Sequence, residues 1–182
     1  MDALVTLVKS ISPEIQIGIS SGDWIEPNLE KRMKYISEWK FVPDFISVNI
    51  IEDDAIKISK LLIAKGVKIE AGLNEKKAAE LFVESELIAD TLRVLIEPEP
   101  EVFSLAIETV KQIEQVLNTA GVKIPRLLHG FNSVAWDVLR EAKRRGYDSR
   151  IGMEDTIHLE NGEMVNSNLD LIKYANKILT SL

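Results

Sequence analysis

The sequence predicts a parallel α/β fold of the TIM (β/α)8-barrel type, and three observations carry that expectation. Short β-branched runs alternate with longer stretches of helical periodicity. The runs are apolar at most positions rather than strictly alternating, the pattern of parallel strands covered on both faces. Polar residues also recur at the C-terminal end of one run after another: Ser20, Ser21 and Asp23; Asn49 and Glu52; Glu70; Glu97; His129; and Arg150, Glu154 and Asp155. In a barrel all those ends face one mouth, whereas in an open doubly wound sheet they spread along an edge with only the switch point functional.

The elements follow in order. A helix over 2–10 precedes the first strand, IQIGIS (15–20). The further strands are FISVNI (45–50), VKIEA (67–71), LRVLIE (92–97), RLLHG (126–130) and SRIGM (149–153). Helices are expected over 29–39, 53–65, 75–84, 101–120, 133–145 and 167–180. Pro43 and Asp44 break the chain before the second strand, and Gly66, Gly121 and Gly146 stand where helix C-caps belong. Asn132, and Asn166 or Ser167, are suited to cap the helices that follow them. Six strand–helix units against the eight of a complete barrel predict a single domain over 1–182 that is a partial barrel, or one whose two leading units lie on another chain or have been lost.

Composition narrows the function. A chain of 182 residues with a net charge of −7 holds one core and no basic stripe; KRMK (31–34) and KRR (143–145) read as solvated helix faces, so nucleic-acid binding is not expected. The absence of cysteine excludes disulfides and thiolate metal sites. No apolar run is long enough to span a bilayer and no signal peptide is legible, so a cytoplasmic protein is expected. Neither GxGxxG nor GxxxxGK[ST] occurs, so no phosphate loop is read.

The strand-end residues have chemical and structural readings side by side. In RIGMED (150–155), Arg150, Glu154 and Asp155 form either a metal-binding carboxylate and an arginine-oriented general base, or a strand-end salt bridge. Glu70 sits in a run too apolar for an unpaired charge; it faces the mouth or pairs with Lys68. Glu97 faces the mouth or belongs to a solvated turn, and Asn49 orients a substrate carbonyl or satisfies loop backbone. Ser20 and Ser21, in ISSGDW, present a turn able to meet an anion or simply cap a βα turn. No histidine lies near them in sequence, which argues against a Ser-His-Asp hydrolase. His129 is expected at the mouth and His158 on the surface, while Trp24, Trp39 and Trp136 read as packing residues.

The order of these blocks resembles a known family. ISSGDWIEP, PDFISVN, VKIEAGL, LRVLIEP, PRLLHGF and RIGMED with its polar hairpin and capped helix are similar to successive strand-end blocks of the β-keto acid cleavage enzymes, of which the 3-keto-5-aminohexanoate cleavage enzymes are examples. The resemblance covers essentially the whole chain. It implies a zinc-dependent (β/α)8 barrel, a C–C bond-cleaving transferase that converts a β-keto acid and acetyl-CoA to acetoacetate and a new acyl-CoA. It implies Glu154 as a zinc ligand, Asp155 as catalytic base, Arg150 as the partner of that base and Ser20 as a mouth serine. Ser21, Asn49 and Glu70 would contact substrate. The family's other zinc ligands, a His-x-His pair on the second strand, have no counterpart here, so the implied zinc site is incomplete. Two other readings stand beside this one: a non-catalytic or self-associating partial barrel, with homo-oligomers expected, and a metal-independent enzyme acting on a small keto or hydroxy acid.

Overall fold

The computed structural model describes residues 2–180. Along the chain run α1 (Asp2–Ile11), β1 (Gly18–Ser20), α2 (Leu29–Ser37), β2 (Phe45–Asn49), α3 (Ala55–Ala64), β3 (Lys68–Leu73), α4 (Lys76–Glu84), β4 (Thr91–Ile96), α5 (Phe103–Thr119), β5 (Arg126–Leu128), α6 (Ala135–Arg145) and α7 (Asn168–Thr180). Short 3-10 turns at Ile88–Asp90 and Asn132–Val134 lead into β4 and α6. The expected helices are all present. Gly66, Gly121 and Gly146 have φ of +79°, +71° and +70° and end α3, α5 and α6 as expected.

The five strands are parallel and pair in chain order, β1-β2-β3-β4-β5. That order never reverses, so successive crossovers of one hand lay their helices on the same face of the sheet. Packing agrees. Ile46, Val48, Ile69, Ala71, Val94, Ile96 and Leu128 point into the helical layer and are buried there. α5 meets Ala71, Val94, Ile96 and Leu128 with Ala106, Val110, Ile113 and Leu117, one residue per turn and each 0% exposed. Burial of each larger side chain in that stripe contributes about 1.5–3 kcal/mol.

The other face of the sheet is polar. Register sets Ser20 beside Ser47, Ser47 beside Glu70 and Glu70 beside Arg93. Strand alternation then carries Asn49, Gly72, Leu95 and Glu97 to the same side. The runs read as uniformly apolar because half their residues meet helices. The other half line a cavity instead of a second covering layer.

One expected strand does not form. Residues 149–153 have no ladder; the sheet touches this segment through a single parallel bridge, Leu127 with Asp148. The backbone donors there are taken by side chains. Gly152 N–H donates to Asp155 Oδ2 at 2.8 Å and Met153 N–H to Asn168 Oδ1 at 2.8 Å. The segment closes into a turn, with Asp155 N–H and Thr156 N–H both donating to Gly152 O. Asn132 also departs from expectation. It adopts φ +50° and its amide donates to Glu101, 2.7 Å away, so it does not cap α6. Ser167 takes the capping role at α7, accepting from Asp170 N–H.

A charged cluster ties α6 to α5. Arg145 reaches both Glu141 and Glu114, and Tyr147 donates to Glu114 at 2.7 Å. The hydrogen bonds from Arg144 hold the Glu141 carboxyl down at about 2 against an ordinary 4.5, with burial opposing and Arg145 assisting. A depressed carboxyl contributes stability that is present above its unfolded value and lost as pH falls through its folded one. Acidification from pH 4.5 toward 2 is therefore expected to remove on the order of 1 kcal/mol through this group, solvent screening included. Thermal melts of Glu141→Gln should show a flatter acid limb than wild type.

Among the described residues no helix is long and apolar enough to cross a membrane.

Candidate active site

The polar sheet face and the loops beyond it enclose a cavity of about 660 Å³. Its walls include Ser20, Ser47, Asn49, Glu70, Arg93 and Glu97 from the strands, with Trp24, Phe131, Arg150 and Glu154 at the rim. Trp24, expected as a packing residue, is 60% exposed and lies against Gly22 at this rim. Trp136 is buried as expected.

The floor is built around Glu70, which is 2% exposed. Its carboxylate accepts from Ser47 Oγ on one side and from Arg93 Nε on the other. Lys68, the alternative partner, points away and pairs with Asp90. Arg93 lies over the Phe45 ring, 4.9 Å from its centroid. The ring in turn covers Gly18, where any Cβ would stand 2.2 Å from it, so β1 needs glycine there.

Across the floor, Asn49 donates to Glu52 at 3.2 Å. Its Oδ1 and Glu97 Oε1 converge over Gly72, 3.0 and 2.6 Å from where a Cβ would lie. Glycine at 72 is thus what lets the two polar side chains lie across the sheet. Ser20 is exposed on the wall and its hydroxyl accepts from Gly22 N–H at 3.2 Å. Ser21 lies outside the lining; its hydroxyl donates to Ser47 O, while the buried Arg32 grips Ser21 O and Glu52.

From the C-terminal ends of β4 and β5, where Glu97 and His129 stand, to the turn over 150–155, charges alternate in a row. Arg150 sits 2.6 Å from Glu154 and 3.4 Å from Asp155. Asp155 lies beneath them, 1% exposed, with Oδ1 3.2 Å from His129 Nδ1. His129, also 1% exposed, places Nε2 3.5 Å from Glu97 Oε2. Neither histidine contact is aligned as a strict hydrogen bond. Asn132 fixes the Asp155 backbone by donating its N–H to Asp155 O at 2.7 Å.

Burial pushes the His129 imidazole down, but the Asp155 and Glu97 carboxylates outweigh it and hold the group above its ordinary 6.5. A raised histidine contributes stability that is complete below its unfolded value and lost as pH rises through its folded one. Imidazole NMR should accordingly find His129 titrating above 6.5, with Glu97→Gln lowering it.

The arrangement gathers Ser20, Asn49, Glu70, Arg150 and Glu154 around one cavity, with Asp155 directly behind Arg150. Reading the sequence did not find Arg93, Ser47 or the bridging position of His129. Parity was the available signal: Arg93 precedes Glu97 by four residues and Ser47 precedes Asn49 by two, so each pair shares a strand face.

The residues do not fit a zinc ion by themselves. Among the described residues no three His, Asp or Glu side chains gather as a metal site, and His129 directs its nitrogens at Asp155 and Glu97.

No curated protein matches the chain significantly. Residues 96–182 match the family model of the beta-keto acid cleavage enzyme. That stretch contains Glu97, His129, Arg150, Glu154 and Asp155, the whole charged row. Over residues 96–182, just under half of its length, the chain is similar to the beta-keto acid cleavage enzyme family.

Proposed function

We propose that this chain supplies the acid–base wall of a β-keto acid cleavage site, in which the acyl group of a β-keto acid is exchanged for the acetyl group of acetyl-CoA. The observation that supports it most is the Glu97–His129–Asp155–Arg150 row, running from the C-terminal ends of β4 and β5 to the 150–155 turn beside a cavity large enough for a small keto acid. Asp155 accepts a proton from carbon 2, the position between keto and carboxylate groups. Arg150, about one-third exposed, turns from Glu154 toward the ligand and opens the path to Asp155. Carbon 2 then attacks the thioester carbonyl and releases CoA thiolate. The thiolate attacks the original keto carbon, the bond from that carbon to carbon 2 breaks, and the proton returns from Asp155. Acetoacetate and a new acyl-CoA leave.

The same proposal takes the five strands as consecutive staves of a (β/α) barrel wall, an expectation that fits their unbroken order. A zinc ion would draw one ligand, Glu154, from the described residues, and no step above is routed through it. The test is acetoacetate release from a panel of β-keto acids with acetyl-CoA, run with and without added zinc. Release above the protein-free rate supports the proposal; no release with any acid under either condition counts against it.

A second reading is favoured by the outer side of β1. The strand is an edge, and in the segment that precedes it Leu4, Leu7, Ile11 and Ile15 are each more than half exposed. Such an edge is suited to pairing with another chain, including a second copy. Sedimentation across a concentration series separates self-association from a monomer.

A further inference from the structure

We infer that Arg93 is the anion-recognition residue of the cavity, its two terminal amino groups receiving the carboxylate of the bound acid. The inference rests on the keto-acid reading of the cavity and goes beyond it by assigning the group that the acid's negative end meets.

Arg93 leaves its two terminal amino groups open. Its Nε donates to Glu70, and among the described residues neither terminal amino group has a hydrogen-bond partner. Neither is sealed from solvent, since buried nitrogens without partners occur in Arg32, His129 and Arg150 but not here. The other arginines differ. Arg32, Arg126, Arg140, Arg144, Arg145 and Arg150 each commit a terminal amino group to a protein oxygen. Arg93 is nonetheless held firmly. Glu70 grips it from behind and is itself held by Ser47, while Phe45 supports the guanidinium plane. A fork fixed at Nε and open at both amino groups is pre-organised to meet a carboxylate with two parallel hydrogen bonds. A mere counter-ion for Glu70 would need no such open end, and Lys would serve as well.

That difference gives the test. Acetoacetate and methyl acetoacetate, which share the keto skeleton and differ in the charge and one ester methyl, are titrated against the full chain by calorimetry and ligand-observed NMR. The wild type should bind the acid in preference to the ester. Arg93→Lys keeps a cation beside Glu70, so its urea midpoint should stay close to wild type while acetoacetate binding weakens by about tenfold or more. Equal binding of acid and ester by wild type would overturn the role of Arg93 while leaving the cavity as a keto-compound site. So would full retention of acid binding by Arg93→Lys, or loss of it in Arg150→Lys alone. Failure of wild type to bind either compound would overturn the keto-acid reading of the cavity and the role of Arg93 with it. If Arg93→Lys unfolds, the acid-over-ester preference of wild type and its dependence on Arg150 decide the matter.

Discussion

Asp155→Asn is expected to lower acetoacetate formation by about 10²–10⁴-fold while leaving the fold intact. The reason is in the geometry. Asparagine keeps an oxygen that can accept the Gly152 N–H, so the turn over 152–156 retains its main side-chain contact. Asn132 holds the Asp155 backbone through the main chain and does not sense the substitution. What is lost is the charge beside Arg150 and His129 and the capacity to take a proton. His129 should lose part of its upward displacement in the same variant, because Asp155 is the larger of the two carboxylate causes. Circular dichroism and the His129 resonance, read with the rate, separate a chemical effect from collapse of the loop. A variant that keeps both its fold and its full rate would remove Asp155 from the chemistry.

Glu70→Ala is expected to destabilise the fold by about 2 kcal/mol, less than removing one partner from a fully buried ion pair because the Arg93 guanidinium it leaves is partly exposed. Glu70 is 2% exposed, and its loss strands the Arg93 guanidinium over Phe45 and leaves the Ser47 hydroxyl without an acceptor. Glu70→Gln should cost less, because its amide oxygen can still accept from one of the two donors. The double variant Glu70→Ala with Arg93→Met should fall short of the sum of the singles, since no unpaired charge then remains. Urea unfolding midpoints read all four proteins. Additive losses would mean that the pair is not coupled across the floor.

Much of the fold was legible because helices announce themselves locally. The α5 stripe of Ala106, Val110, Ile113 and Leu117 and the glycines at 66, 121 and 146 are written in spacing and residue type alone. The sixth strand failed for a tertiary reason. SRIGM has a strand-like composition, but Asp155 and Asn168 take the donors at Gly152 and Met153, and the latter contact comes from a helix fifteen residues away. The site was legible as a set of strand ends, which placed Ser20, Asn49, Glu70, Arg150 and Glu154 around one cavity. Pairing was not legible. Sequence distance suggested Lys68 for Glu70, whereas strand register delivers Arg93 from the neighbouring strand. The same register moves Ser21 off the cavity wall, because a one-residue step on a strand changes its face.

The central claim is that this chain carries a base able to take a proton from carbon 2 of a β-keto acid, and isotope exchange at that carbon tests it most directly. Acetoacetate in D2O, followed by proton NMR without acetyl-CoA, should exchange its carbon-2 protons faster in the presence of wild-type chain than in buffer. Asp155→Asn should return the rate to that of buffer. Exchange at the buffer rate with wild type, in the presence and absence of added zinc, would contradict the account.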